Sequence, residues 1–393
     1  MIISKGNILF RRLGVLLVGT AVLAAAVSLV SCGAGRGSGL KRYDLFTIPL
    51  GTLPGELDWF YRDGFRMAGT ADIQSRDGLI HISGGETGKV MVFNSYGDLL
   101  ALVYDPSRNP APAEAEEGES VASVSSWTLR DPRTIAAFDG GFLVDDGVGR
   151  DRRVIDEGMG VVYDRVVLRF DQYGKYLGHL GREGLGGSPF PYVSSLDVRE
   201  DGGMVVTCRT PDAWMSYWYD KSGRSITTVM IRENQLPGRE DGGRAAVYAI
   251  RPDPVERSLH IRLDVYPEEG GGRPEARLYT LDLTTLEYGE PLVLAYAEGR
   301  PDEGIPAVPP EYLGTTIGGL HMLIAPDGTD SYRMVLIDGE GRTVQSRRLR
   351  IDPTANVYRR FRLQNDGLLT GIFFGPVEAF VCWWRVDKLV GGE

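Results

Sequence analysis

The sequence predicts an all-β chain: a six-bladed β-propeller of four-stranded antiparallel blades, with an N-terminal strand closing the last blade. Three observations predict it. The 393 residues include 52 Gly and 22 Pro with no collagen period, an excess that many tight turns between short strands would require. A turn followed by an apolar, β-rich run recurs along the chain. The two ends, finally, each hold one half of an incomplete unit.

The first repeated element reads Asp77-Gly78-Leu79-Ile80-His81-Ile82, then Gly140-Gly141-Phe142-Leu143-Val144 and Gly202-Gly203-Met204-Val205-Val206. It continues as the degenerate Arg257-Ser258-Leu259-His260-Ile261, as Gly318-Gly319-Leu320-His321-Met322-Leu323, and as Asp366-Gly367-Leu368-Leu369. A second element follows each copy, an aromatic strand and then a polar turn closed by Gly. Its clear copies are Val92-Phe93-Asn94-Ser95-Tyr96-Gly97-Asp98, Leu168 to Lys175, Trp218 to Arg224 and Leu336 to Arg342. The fourth copy, Thr280 to Thr285, is looser, and the sixth stops at Trp384-Arg385-Val386-Asp387. Glycine at a turn between alternating strands is a hairpin signature. Four strands per unit, repeated six times, describe propeller blades.

The sixth unit has no room for its last strand after Asp387, whereas Leu40 to Gly51 precedes the first unit and belongs to none. That segment is read as the strand that completes blade six and removes an open edge. The units are longer than the ~40–50 residues of common blades. The surplus falls in 105–127, which holds the acidic run Glu114 to Glu119, and in 147–160, 267–276 and 296–312. Low in apolar residues, 105–127 is expected to be mobile. Loops on a rigid scaffold are where binding concentrates, although solvated filler is the competing reading for each.

The first 31 residues carry a different message. Lys5, Arg11 and Arg12 precede a nearly unbroken apolar run from Val15 to Val30, which is the layout of a secretory signal. Arg11-Arg12 continues with Leu13-Gly14, a poor fit to a twin-arginine export signal, so ordinary secretion is expected. The apolar run is short for a membrane span, which needs about 20 residues. Leu29-Val30-Ser31-Cys32 resembles the lipobox of bacterial lipoproteins. That resemblance implies cleavage before Cys32, diacylglycerol on its sulfur and acylation of the new terminus, and two or more chains anchor stably. Cys32 and Gly33 to Gly39 then form a lipidated tether, leaving 40–393 as a single propeller domain. Gly33 rather than Asp after the Cys favours the outer over the inner membrane of a bacterial envelope.

Asp72-Ile73 through Asp77 to Ile82, Val90 to Phe93 and Gly97-Asp98-Leu99-Leu100 resemble an NHL repeat. The second unit, with Val166 to Asp171 and Gly174 to Leu177, is similar, and the other four resemble it more loosely. The Asp–Asn–Arg passage typical of that family is replaced by Ser83 to Lys89. Lipobox and NHL-like units together resemble uncharacterised envelope lipoproteins of spirochaetes, which implies a six-bladed propeller at a membrane surface and mostly binding roles, with no particular ligand.

Chemistry-bearing residues are sparse. Ser83 to Val90 lacks the first Gly and the Ser/Thr of a phosphate loop and reads as a hairpin. Among the four His, His81, His260 and His321 occupy the same strand of blades 1, 4 and 5. His321 lies two residues after Gly319 but His81 three after Gly78, so alternation points these two to opposite faces, against a channel cluster. The runs Asp145-Asp146-Gly147 and Pro326 to Asp330 lack the alternating oxygens of a calcium loop and read as turns. Trp214, Tyr217, Trp218 and Tyr219, with Trp383 and Trp384, place one of each adjacent pair in a core. The outward partner is open to packing or to a glycan or peptide. Cys208 and Cys382 fall in opposite blades and are expected to be separate buried thiols.

A net charge of -10 argues against a nucleic-acid partner. The reading is a membrane-anchored binding or scaffolding module without catalytic residues, cofactor or bound metal. Its partners would be membrane lipid through Cys32 and an envelope protein or glycan. The alternative is a metal-dependent hydrolase or lyase with an axial-channel site. Three or more axial carboxylate or imidazole ligands would favour that enzyme, and an apolar patch on one face would favour binding.

Overall fold

A computed structural model describes residues 39–58, 61–62, 65–66, 71–84, 88–112, 122–238, 243–267, 273–296, 307–328, 330–351 and 358–390. The proposed signal peptide, Cys32 and most of the tether lie outside these residues, as does the acidic run 114–119.

Blade 1 is built from Asp72–Arg76, Leu79–Gly84, Lys89–Asn94 and Leu99–Tyr104, and blade 2 from Ile135–Phe138, Gly141–Gly147, Arg165–Asp171 and Tyr176–Gly181. Blade 3 comprises Tyr192–Val198, Met204–Arg209, Ala213–Tyr219 and Ser225–Arg232; blade 4 comprises Arg244–Pro252, Ser258–Tyr266, Glu275–Asp282 and Leu292–Leu294. Blade 5 runs through Glu311–Thr315, His321–Pro326, Ser331–Ile337 and Thr343–Arg350. In blade 6, Tyr358–Leu363, Leu368–Phe374 and Glu378–Arg385 are completed by Arg42–Pro49, which pairs antiparallel with Glu378–Arg385. The N-terminal closing strand is therefore present, and it lies where the unfinished sixth unit required it.

Among the described residues the buried apolar side chains fall into six clusters, one in each gap between neighbouring blades. Ile48 from the closing strand, Phe374 and Val381 of blade 6 pack against Ile73, Ile80 and Ile82 of blade 1, which shuts the ring. Because a blade is sandwiched on both sides, its middle strands are apolar on both faces: Val90 and Val92 face blade 2, whereas Met91 and Phe93 face blade 6. That explains the near-continuous apolar runs in the sequence, the pattern of a strand buried on two sides.

The same packing corrects the reading of the aromatics. Trp214 and Trp218 enter the core shared with blade 4, and Tyr217 and Tyr219 the core shared with blade 2. Trp384 is buried towards blade 5 while Trp383 packs against the blade 6–blade 1 core. Alternation therefore sends neighbours to two different cores, and no outward-facing partner remains among these six. Cys208 and Cys382 are buried free thiols, as expected, in separate cores.

The polar turns of the second repeated element share one device. The Oδ1 atoms of Asn94, Asp171, Asp220 and Asp338 each accept main-chain N–H groups two and four residues on. Gly97, Gly174, Gly223 and Gly341 follow three residues later at positive φ. In the loose fourth copy, Asp282 caps the N–H groups of Thr284 and Thr285, and Leu286 at φ 62° occupies the left-handed position instead of glycine. Part of the 105–127 insertion is ordered: Ser123–Ser126 adds a parallel fifth strand to blade 1. The outer edge of Leu99–Tyr104 offers unpaired main-chain groups that those residues satisfy.

Candidate functional site

Antiparallel strands send successive connections to alternate ends of a blade. Each innermost strand leads to a tight turn, at 77–78, 139–140, 199–203, 253–257, 316–319 and 364–367, and these mark one face, the turn face. The Asx turns of the second element lie on that face as well. The connections 50–71, 105–134, 148–164, 233–243 and 295–310, each of ten or more residues, emerge on the opposite, loop face, as do 267–274 and 351–357, whereas the nine-residue connection 283–291 of blade 4 lies on the turn face. All four insertions singled out in the sequence thus belong to one face. Arg42 pairs with Trp384 and Pro49 with Glu378, so the chain joins blade 6 at the turn face and runs towards the loop face.

Several connections on the loop face carry strands of their own, and that of blade 2 carries a hairpin. Val154–Asp156 and Val161–Tyr163 form a hairpin projecting from blade 2. Val154, Ile155, Met159 and Val162 on it are between 41% and 61% exposed. Four large apolar side chains on one small hairpin are the kind of exposed cluster that marks an interaction surface. Arg152 and Arg153 lie at its base, bonded to His179 and Asp164.

On the axis, a cavity of about 240 Å³ opens through the turn face and takes residues from all six blades. Its inner wall is set by guanidinium groups. Arg362 of blade 6 crosses the axis, its Nη2 donating to the carbonyls of Leu196 (2.6 Å) and Ile135 (3.3 Å) and its Nε to Gln74 Oε1 (3.2 Å). Arg360 donates to Asp72 Oδ1 at 2.8 Å, and the Ile135 N–H reaches Asp72 Oδ2 at 3.1 Å. Burial works to raise the Asp72 carboxyl, but Arg360 and Arg362 outweigh it and hold the group below the usual carboxylate range. Arg251 of blade 4 points into the same cavity, 3.8 Å from Asp197 Oδ2, which itself accepts the Ser195 hydroxyl at 2.8 Å.

The histidines sit beside this cavity rather than in it. His260 and His321 meet edge-to-face across the gap between blades 4 and 5, with ring centroids 4.8 Å apart. His260 is held by Asp253 (3.0 Å) and Thr280 (3.1 Å), and His321 by Thr315 (3.0 Å). His81 lies across the ring against Phe142 of blade 2. His81 thus faces the following blade and His321 the preceding one, the opposition that the turn spacing predicts. Burial pulls both His81 and His321 down to about 4.

Asp145 and Asp146 are not in a turn: they occupy the strand Gly141–Gly147, whose buried position lets Asp145 take Arg165 in two hydrogen bonds of 2.7 and 2.8 Å. Asp146 accepts the N–H groups of Arg130 and Asp131. Asp327 does lie in a turn, bonded to Arg333 and Arg348. Lys89 ends the hairpin once considered as a phosphate loop, and its Nζ donates to the carbonyls of Thr52, Leu53 and Glu56. It latches the connection after the closing strand. Among the described residues no three His, Cys, Asp or Glu side chains converge in metal-ligating fashion.

Sequence reasoning passed over Arg251, Arg360, Arg362 and Asp197. Their signal was present: each is a charge inside an innermost strand, two or four residues before a tight turn, where apolar residues were otherwise expected.

No protein-family model matches this chain, and no curated protein does. Similar solved structures include an α-L-arabinofuranosidase of Fusarium graminearum at 12% identity, covering 88% of this chain and 99% of that one, with a TM-score of 0.46. A polysaccharide lyase described as an ulvan lyase shares 12% identity over 89% of this chain and 83% of its own, with a TM-score of 0.39. The β-propeller domain of the trilobed protease from Pyrococcus furiosus shares 10% over 81% and 83%, with a TM-score of 0.40. Likenesses of this depth carry no argument about activity.

Proposed function

We propose that the chain is an exported bacterial envelope lipoprotein, anchored through Cys32 and built on NHL-like blades, whose propeller is a non-catalytic binding module. The observation that carries this reading is the division of labour between faces. The closing strand begins at the turn face, while most of the long connections and the apolar hairpin Val154–Tyr163 occupy the loop face. A tethered domain with its variable surface on the far side is arranged to hold a protein or glycan partner near a membrane. The competing reading, a metal-dependent hydrolase or lyase on the axis, would place cation ligands there. Of the carboxylates lining the cavity, Asp197 lies beside Arg251 in the shaft and Asp77, Glu200 and Asp366 are spread around the mouth, with guanidinium and amide groups between them.

A photo-crosslinking amino acid at Ile155 or Met159, compared with one at Tyr173 on the turn face, tests the binding reading in the native envelope. A discrete protein or glycan adduct from the hairpin positions alone is expected. Adducts from Tyr173 with none from the hairpin would overturn it. Cys32→Ala, in parallel, is expected to lose labelled palmitate and to leave the membrane fraction.

A further inference from the structure

Arg251 is the odd member of the axial group. Arg360 and Arg362 are each pinned by carboxylate, amide or carbonyl oxygens, as above. Among the described residues the Arg251 side chain makes no hydrogen bond: its Nε is buried without a partner, and Asp197 Oδ2 lies at 3.8 Å, beyond hydrogen-bonding reach. A guanidinium largely withdrawn from water, as Arg251 is at 18% side-chain exposure, weakens a fold when it has no bonded counter-ion. Burial lowers its basicity, Asp197 opposes that, and the like charges of Arg362 and Arg360 add to it. Along the shaft, Arg251 and Arg362 face Asp197, one positive charge in excess, while the Arg360–Asp72 pair outside the lining neutralises itself. Gln74, Gln364, Asn365 and Thr315 add amide and hydroxyl groups to the wall. At the mouth, Asp77, Glu200 and Asp366 outnumber Arg76 and Arg199 by one charge, which disfavours a highly charged polyanion.

We propose that the axial cavity is a binding site for a small hydroxylated monocarboxylate, with the two carboxylate oxygens taken by the planar fork of Arg251 and the hydroxyl-bearing body by the amide-lined wall. One negative charge matches the excess, and a bidentate partner is what a free guanidinium fits. The cavity's volume suits a molecule of sugar-acid size and excludes a polymer chain folded on itself. The residues involved are distinct from the loop-face hairpin, so this site and the binding reading above stand or fall separately.

The test uses the full-length protein in detergent, titrated calorimetrically with D-gluconate, and with D-glucose and inorganic phosphate as comparators. Saturable 1:1 binding of gluconate is expected, with glucose and phosphate at least 10-fold weaker. Arg251→Gln should abolish the response, and Arg251→Lys, which keeps the charge but not the fork, should weaken it at least 5-fold. Without ligand, Arg251→Gln is expected to melt at or above the wild-type temperature, because it removes an unbonded buried charge. A residue kept for structure would lower it. Arg224→Gln, on an exposed Asx turn, should bind as wild type. No gluconate binding at 10 mM, a preference for phosphate, or full gluconate affinity in Arg251→Gln would each overturn the proposal.

Discussion

Three buried titratable side chains contribute strongly to the acid sensitivity of this fold, and they pull in opposite directions. His81 and His321 are held near about 4 by burial, against 6.5 when free. Between those values the unfolded chain takes up protons that the folded one refuses, so stability falls as pH drops through that window, by about 3 kcal/mol for each histidine. Asp145 behaves inversely. Burial raises its carboxyl to about 6 despite Arg165, so the folded state gains a proton before the unfolded state does, and acidification from pH 6 towards 4 returns about 3 kcal/mol. Two losses exceed one gain, and the protein should weaken between pH 7 and 5. His81 has a buried, unbonded Nδ1 and a single main-chain hydrogen bond, at Gln74, so His81→Gln can keep the fold while removing the titration. Urea midpoints at pH 7 and pH 5 should differ for wild type and come close together for the variant, in which the His321 loss and the Asp145 gain nearly cancel. Parallel acid limbs would show that His81 is not a source of the effect.

The closing strand is the element on which the ring depends. Arg42–Pro49 covers the edge of Glu378–Arg385, and Ile48, 1% exposed, reaches the core shared with blade 1. Ile48→Ala leaves a cavity there and should cost about 2–5 kcal/mol, measured by chemical denaturation. Cys382 pairs across from Asp44 in the same strand couple and is buried, and burial pushes its thiol up, so it is inert to thiol reagents in the closed ring. Ile48→Ala should therefore speed Cys382 labelling while leaving Cys208, between blades 2 and 3, unreactive. Equal acceleration of both would mean global unfolding rather than opening of blade 6. How this element came to be legible explains the rest. Its presence followed from an arithmetic of strands, and the blades from glycine turns that recur because only a left-handed residue closes them. Where that chemistry is relaxed, as at Leu286, the repeat blurred. The axial cavity was hidden for a different reason. Its residues are single positions on six strands far apart in sequence, and only ring closure brings Arg251, Asp197 and Arg362 together. Asp145 and Asp146 were misplaced because acid-acid-Gly is turn chemistry locally, and nothing local announces that Arg165 lies opposite.

Taken whole, the molecule has a direction. Strands of six to eight residues at ~3.3 Å each make the ring about 20–25 Å thick, with the chain joining it at the turn face. A flexible segment the length of Gly33 to Gly39 spans about 15 Å on average and about 25 Å at full stretch. The lipid proposed for Cys32 would therefore reach a bilayer readily with the turn face towards it, and only at the limit of the segment's length with the loop face towards it. The axial cavity, opening through the turn face, would then look towards the membrane, and the Val154–Tyr163 hairpin away from it. Single cysteines on neighbouring blades beside the junction read this out: Glu340→Cys on a turn-face connection of blade 5 and Val377→Cys, 70% exposed in the wild type, on a loop-face connection of blade 6. Labelled with a fluorophore and bound to vesicles carrying a lipid-linked quencher, the Glu340 position should be quenched more strongly than the Val377 position. Detergent should remove the difference. Stronger quenching at Val377 would reverse the orientation, pressing the apolar hairpin to the bilayer and turning it from a partner-binding element into a membrane contact.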